Sequence, residues 1–250
     1  MSELKLASDL ILASHITGVY DVNRNTILAN DDFEIVSEWA KSIEALDLNG
    51  IIFHNNFSEE TCKTHKNKNI HFVKVDYDKK YNPNIFRYCI YDAFLQQNAQ
   101  HIKNVFFTDV SDVMTLTNPF LEKLFLDHPE ALFCGDETET LDNAWMQQHG
   151  QHLRNSVPDY GDFEAKFKDY ILLNCGIIGG SLATMQPFMK KLWAIHKTYN
   201  SDNKTLYTGD MGAFNYLVRT QYTGRVIHGN PVNTIFKKYE INSSCWFKHK

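Results

Sequence analysis

Two aspartates in the middle of the chain stand directly after a short apolar run. Asp109 and Asp112 lie three positions apart in the segment 105–112, VFFTDVSD. Carboxylates at this spacing can share one hard divalent cation such as Mg²⁺ or Mn²⁺, and such an ion stabilises a diphosphate leaving group. Aspartates after a strand also cap turns and helices, so this simpler interpretation stays open at this point.

The elements around this motif decide whether it faces a ligand. Short β-branched runs alternate with longer amphipathic stretches, which is typical of βα units around a mainly parallel sheet. We therefore expect an α/β fold in which the run 105–107 is a strand. Ligands bind at the carboxyl ends of the strands in such sheets, which is where Asp109 and Asp112 would stand.

Hydrophobic periodicity gives the expected positions of the elements. Strands are predicted at 10–16, 51–53, 70–75, 105–107, 131–134 and 171–178, and helices at 33–46, 85–97 and 184–199. A further helix begins near Asp210, helical pieces fill 141–169, and Gly179, Gly180 and Ser181 form a turn. Asp31 or Asp32 is expected to cap the first helix. No repeat or linker interrupts these elements, so we expect one domain over residues 1–250.

Composition narrows the class of protein. The net charge of -5, with mixed signs along the chain, gives no reason to expect nucleic acid as a partner. The five cysteines form no CxxC pair, which favours a reducing compartment. Neither a signal peptide nor a transmembrane segment is recognisable. We therefore expect a cytoplasmic location, and attachment to a membrane through other parts of a longer protein stays open.

The order of motifs along residues 10 to 249 resembles that of the GT-A glycosyltransferases. The acidic segment VFFTDVSDVMTLTNPF at 105–120 is followed by LLNCGIIGGS at 172–181, TGD at 208–210 and a C-terminal histidine. The acidic motif has one more residue between its aspartates than a strict D-x-D and matches a D-x-x-D version. The resemblance implies a GT-A, Rossmann-like fold with a mixed, mainly parallel sheet flanked by helices.

The same resemblance implies a metal site. Asp109 and Asp112 would hold Mn²⁺ or Mg²⁺ together with the diphosphate of a nucleotide sugar. A late histidine would complete the site, and His249 matches this position better than its competitor His228. His228 would instead line the donor pocket, and Lys248 or Lys250 would be available to the phosphates.

Further residues would contact the sugar by the same resemblance. Asn174 would bond sugar hydroxyls, while Gly176, Gly179 and Gly180 would let the backbone approach the ligand. A plain strand–turn–helix connection is the alternative for these glycines. Trp145, Tyr160 and Trp246 are candidate stacking platforms for sugars, with core packing as the alternative role.

Four charged residues complete the candidate set. Asp210 would be the acceptor-side catalytic carboxylate, with a helix N-cap as its alternative role. Asp136 and Glu137 would touch the sugar or acceptor, although they could also form a solvated turn. Arg87, on the helix before the acidic motif, would pair with Asp109 or with the donor, unless it is simply exposed.

The sequence thus predicts a metal-dependent glycosyltransferase that moves a sugar from a nucleotide donor, with UDP as the expected nucleotide, to a saccharide hydroxyl. Two other classes stay open. One is a carbohydrate-binding protein without turnover, and the other is a metal-dependent phosphohydrolase or nucleotidyltransferase, since paired aspartates also serve phosphoryl transfer.

Overall fold

A computed structural model of the chain describes residues 6–21, 25–199, 209–240 and 243–250. The strands in these residues are β1 (Asp9–His15), β2 (Tyr20–Asp21), β3 (Thr26–Ile27), β4 (Gly50–His54), β5 (Ile70–Lys74), β6 (Asn104–Thr108), β7 (Val113–Thr115), β8 (Leu132–Thr140), β9 (Ile171–Ser181), β10 (Val226–His228) and β11 (Phe247–His249). The helices are α1 (Glu34–Ala45), α2 (Glu59–His65), α3 (Pro83–Asn98), α4 (Lys123–Asp127), α5 (Ala144–His149), α6 (Gln151–Ser156), α7 (Tyr160–Phe167), α8 (Leu182–Tyr199) and α9 (Asp210–Gln221).

Seven strands form one mixed, mainly parallel sheet in the order β10-β8-β9-β6-β1-β4-β5. The strand β9 is antiparallel to both of its neighbours, β6 and β8, whereas every other pair in the sheet is parallel. The prediction of an α/β fold with a mixed, mainly parallel sheet flanked by helices is confirmed.

The central strands are buried on both faces because helices cover both sides of the sheet. Along β4, Ile51 and Phe53 pack into one hydrophobic cluster, while Ile52, which points to the opposite face, packs into the other. The cluster on one side includes α3 and α8, which pack against each other, and the cluster on the other side includes α1. An uninterrupted apolar run such as GII in β4 is therefore the expected sequence of a central strand.

The strand order reverses between β1 and β6. From β1 the chain first moves outward to β4 and β5, and it then returns to the other side of β1 with β6. The carboxyl ends of β1 and β6 diverge into separate connections at this switch point, which opens a crevice there in sheets of this kind. Asp109 is the first residue after β6 and therefore stands at this edge.

Outside the main sheet, a two-stranded antiparallel ribbon joins β7 to the C-terminal strand β11. Val113 lies opposite His249, and Thr115 lies opposite Phe247. The ribbon is fixed further because the carbonyl oxygen of Trp246 accepts a hydrogen bond of 2.7 Å from the amide of Leu116. The C-terminus is thereby held beside the acidic motif.

Most predicted elements are found at the expected places, and several are corrected. The segment between the strands predicted at 51–53 and 70–75, for which no element was expected, contains α2, whose N-cap Ser58 accepts a 3.0 Å hydrogen bond from the amide of Thr61. Strand β8 continues through a polar sequence to Thr140, well beyond the predicted end at Cys134. Helix α8 starts at Leu182, two residues before the predicted start at 184, so Pro187 lies inside the helix and beyond its first turn.

The structure also tests two other local predictions, which concern the cap of α1 and the helical pieces in the region 141–169. The N-cap of α1 is Phe33, so the prediction of Asp31 or Asp32 as the cap is wrong. Asp32 still accepts a hydrogen bond from the amide of Glu34, whereas Asp31 accepts one from the amide of Ser58. The region 141–169 contains α5, α6 and α7, as the helical pieces predicted there. None of the helices in the described part of the chain combines the length and the apolar character needed to cross a membrane.

Candidate metal centre and its cavities

Two carboxylates and one imidazole come together at the carboxyl edge of the sheet. Each of Asp109, Asp112 and His249 offers a ligand atom, and these three atoms lie within 4.8 Å of one another. The Nε2 of His249 is 3.9 Å from Oδ2 of Asp112. Residues 137 positions apart in the sequence are thus neighbours in space, as the resemblance implied for His249.

Backbone hydrogen bonds hold each of the three residues in place. The amide of Asp109 donates to the carbonyl of Gly176 over 2.8 Å, which ties the end of β6 to β9. Asp112 immediately precedes β7, and its carbonyl accepts a 2.9 Å hydrogen bond from the amide of Lys250. His249 is fixed by the ribbon and by a 3.0 Å hydrogen bond from its amide to the hydroxyl of Thr234.

The imidazole of His249 is suited to bind a cation. Its side chain is 2% exposed, and burial, the largest cause, lowers its pKa to about 4. The ring is therefore neutral at neutral pH, which is the form that ligates metals. Its buried Nδ1 has no hydrogen-bond partner among the described residues. Two carboxylates with one imidazole form a donor set that suits Mn²⁺, and also Mg²⁺ through the oxygens.

Arg87 lies directly behind this cluster. It projects from α3, is 8% exposed, and its guanidinium contacts the carboxylates of both Asp109 and Asp210. The same guanidinium is 3.1 Å from the hydroxyl of Tyr88 and 3.2 Å from the sulfur of Cys175. The predicted pairing with Asp109 is present, and the alternative of an exposed arginine is wrong. One buried cation therefore fixes two carboxylates at the same time.

Gly176 permits the close approach of the cluster. A Cβ at this position would lie 2.8 Å from Oδ2 of Asp109, 2.8 Å from Cε1 of His249 and 2.9 Å from Oδ1 of Asn174. Real Cβ atoms do not approach other atoms so closely, so any larger residue would displace these side chains. The predicted close approach at Gly176 therefore serves the three side chains.

Two cavities meet at the cluster, and Arg87, Asp109 and Asp112 line both of them. The first cavity, of about 300 Å³, opens at the switch point and is bounded by residues 14–16 at the carboxyl end of β1 and by residues 109–112 after β6. The second cavity, of about 500 Å³, extends from the cluster toward β8, α5 and the start of α9. Both volumes are in the range of small-molecule sites.

Several predicted residues line the second cavity. Asn174, Gly176, Glu137 and Asp210 are among them. Asn174 connects two others, because its amide nitrogen donates to Glu137 over 2.8 Å and its amide oxygen accepts from the amide of Gly176 over 2.7 Å. Burial raises the pKa of Glu137. The prediction that Asp136 and Glu137 form a solvated turn is wrong, since both belong to β8.

Asp210 is the first residue of α9, and Gly209 is the N-cap. The alternative of Asp210 as a plain N-cap is therefore wrong. Its carboxylate lies 3.5 Å from the guanidinium of Arg87 and 3.8 Å from the sulfur of Cys175. Thr208, which was part of the TGD motif, lies outside the described residues.

The structure separates three charged or polar predicted residues from both cavities. Asp136 points to the opposite face of β8 from Glu137 and pairs with His228, whose Nδ1 is 2.9 Å from Oδ2 of Asp136. His228 on the edge strand β10 is thus not the third member of the cluster. The ammonium group of Lys250 contacts the carboxylate of Glu38 and is not a lining group.

The predictions for Gly179 and Gly180 are also corrected. Both residues belong to β9 and do not form a turn. Gly179 pairs with Phe106 of β6 and Gly180 pairs with Val105, on the side away from the cluster. A Cβ on Gly179 would lie 2.1 Å from the ring of Phe106. This glycine therefore makes room for an aromatic ring of the core, and the two residues do not line either cavity.

The three aromatic residues predicted as stacking platforms differ in exposure. Tyr160 and Trp246 are almost fully buried and pack in the core, whereas Trp145 is 43% exposed and lines the second cavity. The sequence interpretation did not identify Ser14, Asn84 and Glu139, which also line the cavities. The rule that ligands bind at strand ends could have found Ser14, because it lies at the carboxyl end of β1.

Neither the protein-family models nor the curated protein sequences compared with the chain give a match. The arrangement of the described residues is therefore the basis for assigning a function.

Proposed function

We propose that this protein is a metal-dependent glycosyltransferase of the GT-A type that transfers a sugar from a nucleotide sugar to a saccharide hydroxyl. The observation that carries the proposal is the meeting of Asp109, Asp112 and His249 within 4.8 Å at the carboxyl edge of the parallel sheet. This cluster lies between two cavities, which suits a ligand that extends to both sides of a metal-bound diphosphate.

The first cavity would receive the nucleoside. It is located at the topological switch point, where open α/β sheets bind nucleotides. Asn84, in the first turn of α3, and Ser14, at the end of β1, supply polar groups there, while Ile16 and Val110 supply apolar ones. UDP is the proposed nucleotide.

The diphosphate would bind between the cavities. Asp109, Asp112 and His249 would hold Mn²⁺ or Mg²⁺, which neutralises the diphosphate charge and stabilises the departing nucleotide. Arg87 orients the carboxylate of Asp109, because its charged guanidinium contacts this group directly. The chain thus presents the carboxylates before the donor arrives.

The transferred sugar and the acceptor would share the second cavity. Asn174 and Glu137 form a hydrogen-bonded pair there that matches the donors and acceptors of sugar hydroxyls. Asp210 is the proposed acceptor-side carboxylate, located on the same wall and oriented by Arg87. A carboxylate in this position accepts a hydrogen bond from the acceptor hydroxyl or takes its proton.

Isothermal titration tests the proposal with UDP- and GDP-sugars and the free nucleoside diphosphates, each with Mn²⁺ and with EDTA. We expect one nucleotide sugar to bind only with metal. Asp112→Asn should weaken this binding by at least about 100-fold, since ligand loss exceeds the usual 10–100-fold effect of outer-shell changes. Asp169→Asn makes the same chemical change at an exposed position outside both cavities and should leave binding unaltered.

Product analysis separates the proposed transferase from the other classes. Release of a nucleoside diphosphate together with a glycosylated acceptor supports the transferase. Release of a nucleoside monophosphate or of sugar phosphate indicates a phosphohydrolase or nucleotidyltransferase. Glycan binding that is indifferent to metal, with no product, indicates a carbohydrate-binding protein and overturns the proposal.

A further inference from the structure

One part of the second cavity is not used by the metal cluster or by the diphosphate. It is the wall formed by the end of β8 and by α5, and its most prominent side chain is Trp145. Of the four tryptophans, Trp39 and Trp246 are each 1% exposed, while Trp145 is 43% exposed. An indole of this size left open to solvent inside a cavity is a surface on which a ligand can pack.

The orientation of this indole is fixed by its own helix. The ring of His149, one helical turn later, stacks on Trp145 with ring centroids 3.6 Å apart and an angle of 21°. The Nδ1 of His149 lies 2.8 Å from the carbonyl of Trp145, and burial lowers the pKa of this imidazole. One face of the indole is thus covered by a neutral ring, so the platform is already ordered before a ligand binds.

The polar groups next to the platform are mainly acidic. Glu137 and Glu139 alternate along β8, so both side chains face the cavity, and Asp210 faces it from α9. Lys237 and Arg87 are the lining cations among the described residues, and Arg87 is paired with Asp109 and Asp210. An anionic ligand placed on this wall would therefore be repelled, whereas hydroxyl and ammonium groups would find acceptors.

We propose that this wall is the acceptor subsite and that it takes a neutral or amine-bearing saccharide whose apolar C–H face stacks on Trp145. The carboxylates of Glu137 and Glu139 accept hydrogen bonds from its hydroxyl or ammonium groups. Sulfated and uronate saccharides are disfavoured by the same carboxylates. This inference names the acceptor class and rests on the proposed function.

Saccharide titrations without nucleotide or metal test the inference on the intact chain. The probes are lactose, chitobiose and glucosamine, with 3′-sulfolactose and methyl glucuronide as their anionic counterparts, and the readout is tryptophan fluorescence with ligand-observed NMR. We expect at least one neutral or amino saccharide to bind and to change the fluorescence. The anionic counterpart should bind at least about tenfold more weakly.

Three variants locate this binding. Trp145→Ala should weaken saccharide binding about tenfold. Trp145→Phe should retain most of the affinity, because a ring remains, and should lose the fluorescence change. Tyr170→Ala is the control, because Tyr170 is 51% exposed and lies outside both cavities. Saccharide binding should be unchanged in this variant.

The outcomes separate this inference from the proposed function. Equal binding of neutral and anionic saccharides, unchanged affinity in Trp145→Ala, or no saccharide binding by the parent chain overturns the acceptor subsite. Nucleotide sugar titrated with Mn²⁺ is a separate readout. If it fails to bind while saccharide binding depends on Trp145, the wall is a saccharide site but not an acceptor subsite, and the transferase proposal falls.

Discussion

The two sides of the second cavity hold their polar groups in different ways. On the metal side, defined by Asp109, Asp112 and His249, the side chains are fixed by ion pairing, by backbone hydrogen bonds and by burial. On the outer side, defined by Glu137 and Trp145, the groups are half-buried or exposed. A neutral amide, that of Asn174, donates the hydrogen bond to Glu137 there.

This difference matches the demands of the two kinds of ligand. A metal ion needs its ligands within a few tenths of an ångström of fixed distances, so the metal side benefits from rigid supports that exist before binding. A saccharide presents hydroxyl groups and an apolar face, which a few oriented polar groups and one ring can receive. We therefore expect substitutions on the metal side to have larger effects than substitutions on the outer side.

The largest effect on stability is expected from Arg87→Met. This change removes the buried cation and leaves the carboxylates of Asp109 and Asp210 without their shared partner. Breaking a buried ion pair in this way costs about 3–5 kcal/mol. The free energy of unfolding, measured in urea, should fall by this amount.

Lys68→Met is the matched control for this prediction. Lys68 pairs with Asp47, but both side chains are more than 70% exposed, at 78% and 72%. Exposed pairs contribute about 0–1 kcal/mol. If the two methionine variants lost similar amounts of stability, Arg87 would not be the main support of the metal side.

An intermediate effect is expected from Gly176→Ala. The new methyl group would lie 2.8 Å from both Asp109 Oδ2 and His249 Cε1, so the ligand atoms must move apart. The affinity for Mn²⁺, measured by isothermal titration, should fall about 10- to 100-fold, as for other changes that disturb ligand orientation.

Gly161→Ala controls for the substitution itself. Gly161 lies in α7, and a Cβ there meets nothing within 4 Å. Alanine stabilises an open helical position by about 0.5–1 kcal/mol relative to glycine. Metal affinity should therefore be unchanged and stability slightly higher. Equal metal affinities in the two alanine variants would show that the cluster tolerates displacement.

The difference between the metal side and the outer side also explains which parts of the site could be predicted from the sequence. The aspartates of the motif were recognisable because strand β6 is an apolar run and ligands bind after such strands. His249 was identified through the resemblance to a family, because the pairing of β7 with β11 joins segments more than 130 residues apart. No local pattern encodes this contact.

The outer side was harder to predict for a related reason. Its strand β8 continues through the polar residues 137–139, in which the two glutamates have low strand propensity. The strand is held on either side of them, because Asp136 pairs with Leu173 and Thr140 with Ile171 of β9. Gly179 and Gly180 gave the opposite error, since glycine pairs usually mark turns. At Gly179 the ring of Phe106 occupies the space of a side chain, and only the packed structure reveals this reason.

The smallest effect on stability is expected from Glu137→Gln. The direction in which this effect changes with pH distinguishes the outer side of the second cavity from the metal side. Burial raises the pKa of Glu137, so the folded state binds its proton more tightly than the unfolded state. The contribution of Glu137 to stability is fully present at pH values below the pKa that this group has in the unfolded chain. This contribution is lost as the pH rises through the pKa that Glu137 has in the folded chain. Glutamine does not ionise, and its oxygen can still accept from Asn174. The variant should therefore gain stability relative to the parent as pH rises.

Urea unfolding of both chains between pH 4 and pH 8 measures this difference, which should be smaller than the loss in Arg87→Met. Glu139→Gln is the matched control, because it makes the same change at an exposed position on the same face of β8. Glu137→Gln should also retain the affinity for Mn²⁺, because Glu137 is not a member of the cluster. A loss of stability that grows with pH would mean that Glu137 is held by ion pairing as on the metal side, and the contrast between the two sides would then disappear.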